Sequence, residues 1–206
     1  MLEALLLLAA LGADAVDPIS VAMDRYRAVD SYQVTLKSSA AGESEIVRYT
    51  YKKPGFVRMD FERPYQGAVL IYDPLKKQVR LWPFGLKLFA LTLSPENRLV
   101  QSRTGQRVDK SDVGALWQNV ETLKGNGETR VLGHEIVSAA QVLHITVTGK
   151  ENFVVDNVHR FDIWLEEKTW FPAKVVSRGA EGDLIETVLF EDLKVNPELA
   201  RDIFNP

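Results

Sequence analysis

The stretch Tyr49-Thr-Tyr-Lys-Lys-Pro-Gly-Phe-Val-Arg-Met-Asp-Phe61 holds two runs of alternating side chains split by a Lys-Pro-Gly corner. Tyr49 and Tyr51 form one apolar row, and Val57, Met59 and Phe61 form the other. Successive side chains of a strand point to opposite faces, so alternation on both sides of a turn signal predicts an antiparallel meander with one apolar face. That face is either the wall of a core or the wall of a ligand cavity, and the function turns on which.

Outward from this corner the first half reads as further strands at 31–39, 44–53, 55–62, 67–73, 77–82 and 85–93, punctuated by Gly42, Pro54-Gly55, Gly67, Asp73-Pro74 and Pro83. Ahead of them, Asp17-Pro18 is an N-cap followed by proline, and Ile19, Met23, Tyr26 and Val29 recur at helical spacing over 18–30. Residues 94–110 lack periodicity and predict a loop or lid connection. Ser111-Asp112 then caps a second helix with the stripe Val113, Leu116, Trp117 and Val120. Strands resume at 129–137, 141–149, 159–166, 171–178 and 184–192, and a short helical turn is expected at Pro197–Arg201. About ten or eleven strands with few helices and no βαβ rhythm predict an α+β fold, one antiparallel sheet with helices against one face.

Composition narrows the function. The 206 residues are 46% hydrophobic and 26% charged with a formal net charge of −3, an ordinary globular balance. Lys and Arg are scattered among carboxylates, which argues against nucleic acid as a partner. Having no cysteine excludes disulfides, thiolate metal sites and thiol nucleophiles. The run Leu2–Gly12 followed by Ala13-Asp-Ala15 has the length and small-x-small end of a signal peptide, so residues 1–16 are expected to be an export signal. Glu3 stands where a basic residue belongs, which a true start upstream of Met1 would explain; a buried amphipathic helix is the other reading.

Catalytic patterns are missing. His134, His144 and His159 make no zinc-binding spacing, and no nucleophile elbow, P-loop or dinucleotide fingerprint occurs. His144 lies on the strand face opposite Leu143, Ile145 and Val147, as a polar-face residue would. Glu166-Glu167 and Glu191-Asp192 sit at turns or strand ends, as solvated charges do. Neither an enzyme nor a metal or other cofactor is expected. Trp82-Pro83-Phe84, Leu86, Leu88, Phe89, Leu91 and Leu93 make a dense apolar patch with Lys87 its only charge. It reads either as a strand buried on both faces or as a greasy segment at a cavity mouth.

The order of helix, Tyr32 strand, Lys52-Lys-Pro-Gly-Phe-Val-Arg58 and Tyr72-Asp-Pro resembles the LolA-like outer-membrane lipoprotein carriers and sorting proteins. So does the C-terminal run Phe161-Asp-Ile-Trp-Leu-Glu166, Trp170-Phe-Pro-Ala-Lys174, Gly182, Val188–Leu193 and Phe204-Asn-Pro206. The resemblance spans most of residues 18–206. It implies a single domain over 17–206, a strongly curved antiparallel sheet forming a half-open β-barrel, with helices covering the concave face. It further implies a monomeric periplasmic carrier of lipid or lipoprotein acyl chains that works between inner- and outer-membrane transport proteins. The same fold also serves stress sensors, so a lipid-sensing or protein-interaction module is the alternative. On this reading the cavity lining is Tyr49, Tyr51, Val57, Met59, Phe61, Leu70 and Tyr72, with Trp82, Phe84, Phe89 and Trp117, and with Ile163 and Val175 as later contributors. Lys53 matches the carriers' lid-latching arginine, and brings three donors on a point charge in place of a planar five-donor fork.

Overall fold

A computed structural model describes residues 16–206; the expected export signal lies almost wholly outside them. Within the described residues, helix α1 (Pro18–Arg27) leads into β1 (Ser31–Ala40), β2 (Glu43–Lys52), β3 (Phe56–Arg63), β4 (Val69–Asp73), β5 (Gln78–Trp82) and β6 (Leu91–Leu93). After a connection with two short 3₁₀ turns come α2 (Val113–Gly125), β7 (Gly127–Val137), β8 (Ala140–Gly149), β9 (Arg160–Glu166), β10 (Pro172–Arg178) and β11 (Leu184–Val195).

The strands pair in one antiparallel sheet, β6-β5-β4-β3-β2-β1-β11-β10-β9-β8-β7. Two meanders therefore meet where the first and last strands pair, and the sheet stays open with β6 and β7 as its edges. The chain leaves one edge after β6 and must reach the other edge to begin β7. It does so across one face, and this carries α2 over the sheet. Val100, Val108, Val113, Trp117, Val120 and Leu123 of that crossing join one core with Tyr49 and Val57 of the first meander and Ile145 and Val147 of the second. Ile19 and Ala22 of α1 belong to the same core.

Local chemistry sets the boundaries. Asp17 and Asp112 cap the two helices by accepting from Ser20 N and Gly114 N, each satisfying an otherwise orphaned donor. Ala41 and Gly42 join β1 to β2 with φ of 51° and 81°, the positive values that a two-residue hairpin of right-handed twist requires. Five of the ten strand pairings carry a register shift, including one in β1–β11 and one in β2–β3. Each bulge bends its strand and adds twist.

Three expectations change. Only Leu91–Leu93 of the expected strand 85–93 is strand; Pro83 and Gly85, the latter at φ 93°, turn the chain out of the sheet after Trp82. The connection 94–110 holds the 3₁₀ turns Arg98–Val100 and Val108–Lys110. Near the C-terminus, Pro197–Arg201 is not helical. The residues that follow pack against the sheet's other face: Arg58 Nη1 donates to Ile203 O at 2.8 Å, and Arg80 Nη2 donates to Phe204 O at 2.5 Å.

Candidate functional site

Register places the apolar residues in rows across the helix-facing side of the sheet. One row runs Tyr32, Tyr51, Val57, Tyr72 and Val79 over β1 to β5. The next runs Val34, Tyr49, Met59, Leu70, Leu81 and Leu91, reaching β6. A third joins Phe190, Leu36, Val47 and Phe61. The first row is wholly buried in the core that the helices share. In the other two, Leu36, Met59, Phe61, Leu81 and Phe190 pack against the same core but are only partly buried. The apolar surface thus extends past its cover.

Tyrosines bind the cover to the sheet. The Tyr32 ring stacks on Tyr51 at 5.1 Å and on Tyr49 at 5.9 Å, with Phe171 edge-on at 5.5 Å. Tyr32 Oη accepts from Val113 N at 3.2 Å, Tyr49 Oη pairs with Ser111 Oγ at 3.0 Å, and Tyr26 Oη donates to Asp112 Oδ1 at 3.0 Å. All three contacts meet the start of α2. Burial pushes the Tyr26, Tyr32 and Tyr49 hydroxyls well above their ordinary value, so they remain neutral. Gly114 is required in this crowd, because a Cβ there would lie 2.9 Å from the Tyr26 ring.

Lys53 ties the other helix. Its backbone N donates to Asp30 O at 2.8 Å, and its Nζ donates to Arg27 O at 2.7 Å with Asp30 Oδ1 3.8 Å away. Arg27 ends α1, so the ammonium meets an unsatisfied carbonyl at the negative end of the helix. A lysine reaches this backbone target with one donor, where a guanidinium would bring a fork.

The remaining expected residues do not share one surface. Trp117 faces the sheet from α2 and is fully packed into the core. Trp82 is a correction: it pairs with Val69 and lies with Ile71 and Phe204 on the sheet's other face, because Leu81, its neighbour, takes the helix-facing side. Phe84 and Phe89 are 68% and 61% exposed and touch each other at 6.2 Å, which overturns the reading of a strand buried on both faces. Ile163 and Val175 join the main core from β9 and β10.

Two acidic residues share this side of the sheet. Glu45 follows the parity of Val47 and Tyr49, and Glu186 follows that of Val188 and Phe190, so both point to the helix-facing side. Ser38 stands between them, paired with Glu45 on one strand and Val188 on the other. Burial raises both carboxyls, and Glu45 adds to the rise at Glu186, which reaches about 7. Among the described residues neither makes an ion pair.

On the opposite face His144 stacks on Trp164 at 4.0 Å and its Nδ1 lies 2.8 Å from Glu135 Oε1. Trp164 Nε1 donates to Glu135 Oε2 at 2.8 Å, and Lys174 Nζ sits 4.3 Å over the indole. This is a packed polar cluster around the small core of Val142, Trp164 and Val176. Among the described residues no group of His, Asp and Glu is arranged to hold a metal ion. Two surface clefts of about 370 Å³ each lie at Tyr26–Asp112 and at His134–Glu167, and neither is walled by Val57, Met59, Phe61 or Leu70. No described helix is long and apolar enough to cross a membrane.

No protein-family model and no curated protein matches the sequence. Solved structures do match. An uncharacterized conserved protein from Thermus thermophilus superposes with a TM-score of 0.58 at 10% identity, over 92% of this chain and 94% of its own. The Mycobacterium tuberculosis lipoprotein LppX gives 0.53 at 11% identity, over 89% and 95%. MucB of Pseudomonas aeruginosa, in a structure of its complex with MucA(peri), gives 0.50 at 17% identity, over 91% of this chain and 59% of its own. At such identities what is shared is the fold. The chain shares its open antiparallel fold with these solved structures.

Proposed function

We propose that this chain is a periplasmic carrier that holds the acyl chains of a lipid or lipoprotein between the concave, helix-facing side of a half-open barrel and its helical cover. Residues 17–206 would act as one monomeric domain, shuttling cargo toward the outer membrane between membrane transport proteins. The observation that carries this reading is the partly buried apolar surface at Leu36, Met59, Phe61 and Leu81, continuous with the core that α1 and α2 share with the sheet. Acyl chains need no polar recognition, since each buried CH₂ contributes about 0.8 kcal/mol. Met59, unbranched and adaptable, suits irregular cargo. The covered state is the closed one, and loading displaces α1 or α2 from the tyrosine rows.

Titration with a fluorescent fatty acid tests the reading. Saturable uptake is expected, and Met59→Glu with Phe61→Glu should weaken it at least tenfold while leaving the far-ultraviolet circular dichroism unchanged. A folded wild-type protein that takes up no probe would overturn it. A second reading, a protein-interaction module, is favoured by MucB, whose structure with MucA(peri) shares this fold. A stable protein complex without lipid transfer between membranes would select it.

A further inference from the structure

At the end of the sheet where β3 and β5 run out, two connections lie side by side: a Cβ on Gly85 would stand 3.5 Å from the Gly67 carbonyl oxygen. The first, Arg63–Ala68, carries Tyr65, and the second, Pro83–Ala90, carries Phe84, Leu86, Leu88 and Phe89. All five large side chains are exposed, Tyr65 at 58% and Leu88 at 56% among them. A soluble surface scatters such residues singly, and a contiguous cluster marks an interaction site. The cluster is also continuous with the candidate cargo surface: Tyr65 packs edge-on against Phe61 at 6.1 Å, and the loop runs directly into Leu91 on the helix-facing side.

Chemistry chooses the occupant. Across both connections the charged residues are Arg63 and Lys87, with no carboxylate, in a chain whose net charge is −3. Among the described residues neither cation makes an ion pair, and the adjoining Glu62 is engaged by Arg48 at 3.1 Å. Apart from the Tyr65 hydroxyl, Gln66 is the only uncharged side chain able to hydrogen-bond. Specific protein interfaces carry about one hydrogen bond per 100–200 Å², which this surface is poorly equipped to supply. Apolar tips flanked by cations suit a bilayer with anionic headgroups, where the tips enter the acyl boundary and the cations meet phosphate.

We propose that the Phe84–Phe89 loop, with Tyr65, docks the protein on an anionic lipid surface and presents the β5–β6 edge of the apolar face to the bilayer. The proposal rests on the carrier reading, and its surface adjoins the cargo-binding rows without including them, so the two tests are separable. The wild-type protein should float with vesicles of equal parts phosphatidylglycerol and phosphatidylcholine and bind pure phosphatidylcholine more weakly. Leu86→Ser with Leu88→Ser should weaken vesicle binding at least tenfold while fatty-acid uptake without vesicles stays at its wild-type level. Arg63→Glu with Lys87→Glu should remove the preference for anionic vesicles. Wild-type protein that binds neither vesicle, or a double serine variant that binds as well as wild type, overturns the proposal. Binding to native membranes but not to pure lipid would assign the loop to a membrane protein and overturn it as well.

Discussion

Glu186→Gln gives the sharpest physical test of the interior. The carboxyl sits on the helix-facing side, half-buried, and its value rises from the ordinary 4.5 to about 7, first through burial and then through Glu45. A raised folded-state value means that the native chain keeps the proton over a range where the unfolded chain has lost it. Stability from this group is therefore full near pH 4.5 and is lost as the pH rises through 7. The full shift corresponds to about 3 kcal/mol, and solvent at the partly exposed carboxyl reduces it to roughly 1–2 kcal/mol. Glutamine keeps the shape without the charge. Glu186→Gln should match wild type in urea melts at pH 4.5 and exceed it by about 1–2 kcal/mol at pH 8, or about 2–8 °C in Tm. A difference that does not change between those two pH values would refute the buried-carboxyl reasoning.

Two further outcomes follow from local geometry. Lys53→Ala, which frees the Arg27 carbonyl at the end of α1, should cost about 0.5–1 kcal/mol in urea melts and speed fatty-acid uptake; Lys53→Arg should restore most of both. Ser138 and Ala139 join β7 to β8 at φ of 47° and 68°, which strains an L side chain, so Ala139→Gly should raise stability by roughly 0.5–1 kcal/mol; an unchanged or lower midpoint would count against that hairpin geometry.

Alternation carried most of the sheet into view. The rows through Tyr49, Tyr51, Val57, Met59, Leu70 and Tyr72 follow directly from period-two spacing, because a one-residue slip would have turned every one of them to the opposite face. The same parity, followed beyond the apolar residues, would have exposed Glu45 and Glu186 and would have sent Trp82 to the other side. At Phe84–Phe89 a near-continuous apolar run reads equally as a buried strand and as a greasy segment at a cavity mouth, and the exposed loop removes the first reading. Pro83 is legible as a breaker, but that Gly85 at φ 93° keeps the chain out of the sheet until Leu91 is set by the backbone, not by the apolar run. The partners of the tyrosine hydroxyls were beyond reach as well. They are set by the edge-to-edge crossing of α2, a long-range consequence of strand order. Lys53 matches the latch position through resemblance, and its contact with Arg27 O depends on how α1 ends against the corner.

Exposure of the Phe84–Phe89 loop and partial burial of the Met59–Phe61 row describe two ends of one apolar path, from a surface to an interior. On the proposed carrier reading, the cations Arg63 and Lys87 stand at the path's outer end. Glu45 and Glu186 lie on the helix-facing side, and their raised values leave them less charged than exposed carboxylates at the same pH.

Native mass spectrometry of gently purified protein is the most direct test of lipid carriage. A carrier should show one or more adducts with masses of acylated lipids, released on denaturation and displaced by added fatty acid. A single clean mass for the polypeptide, with no uptake of fatty acid by the folded protein, would contradict it.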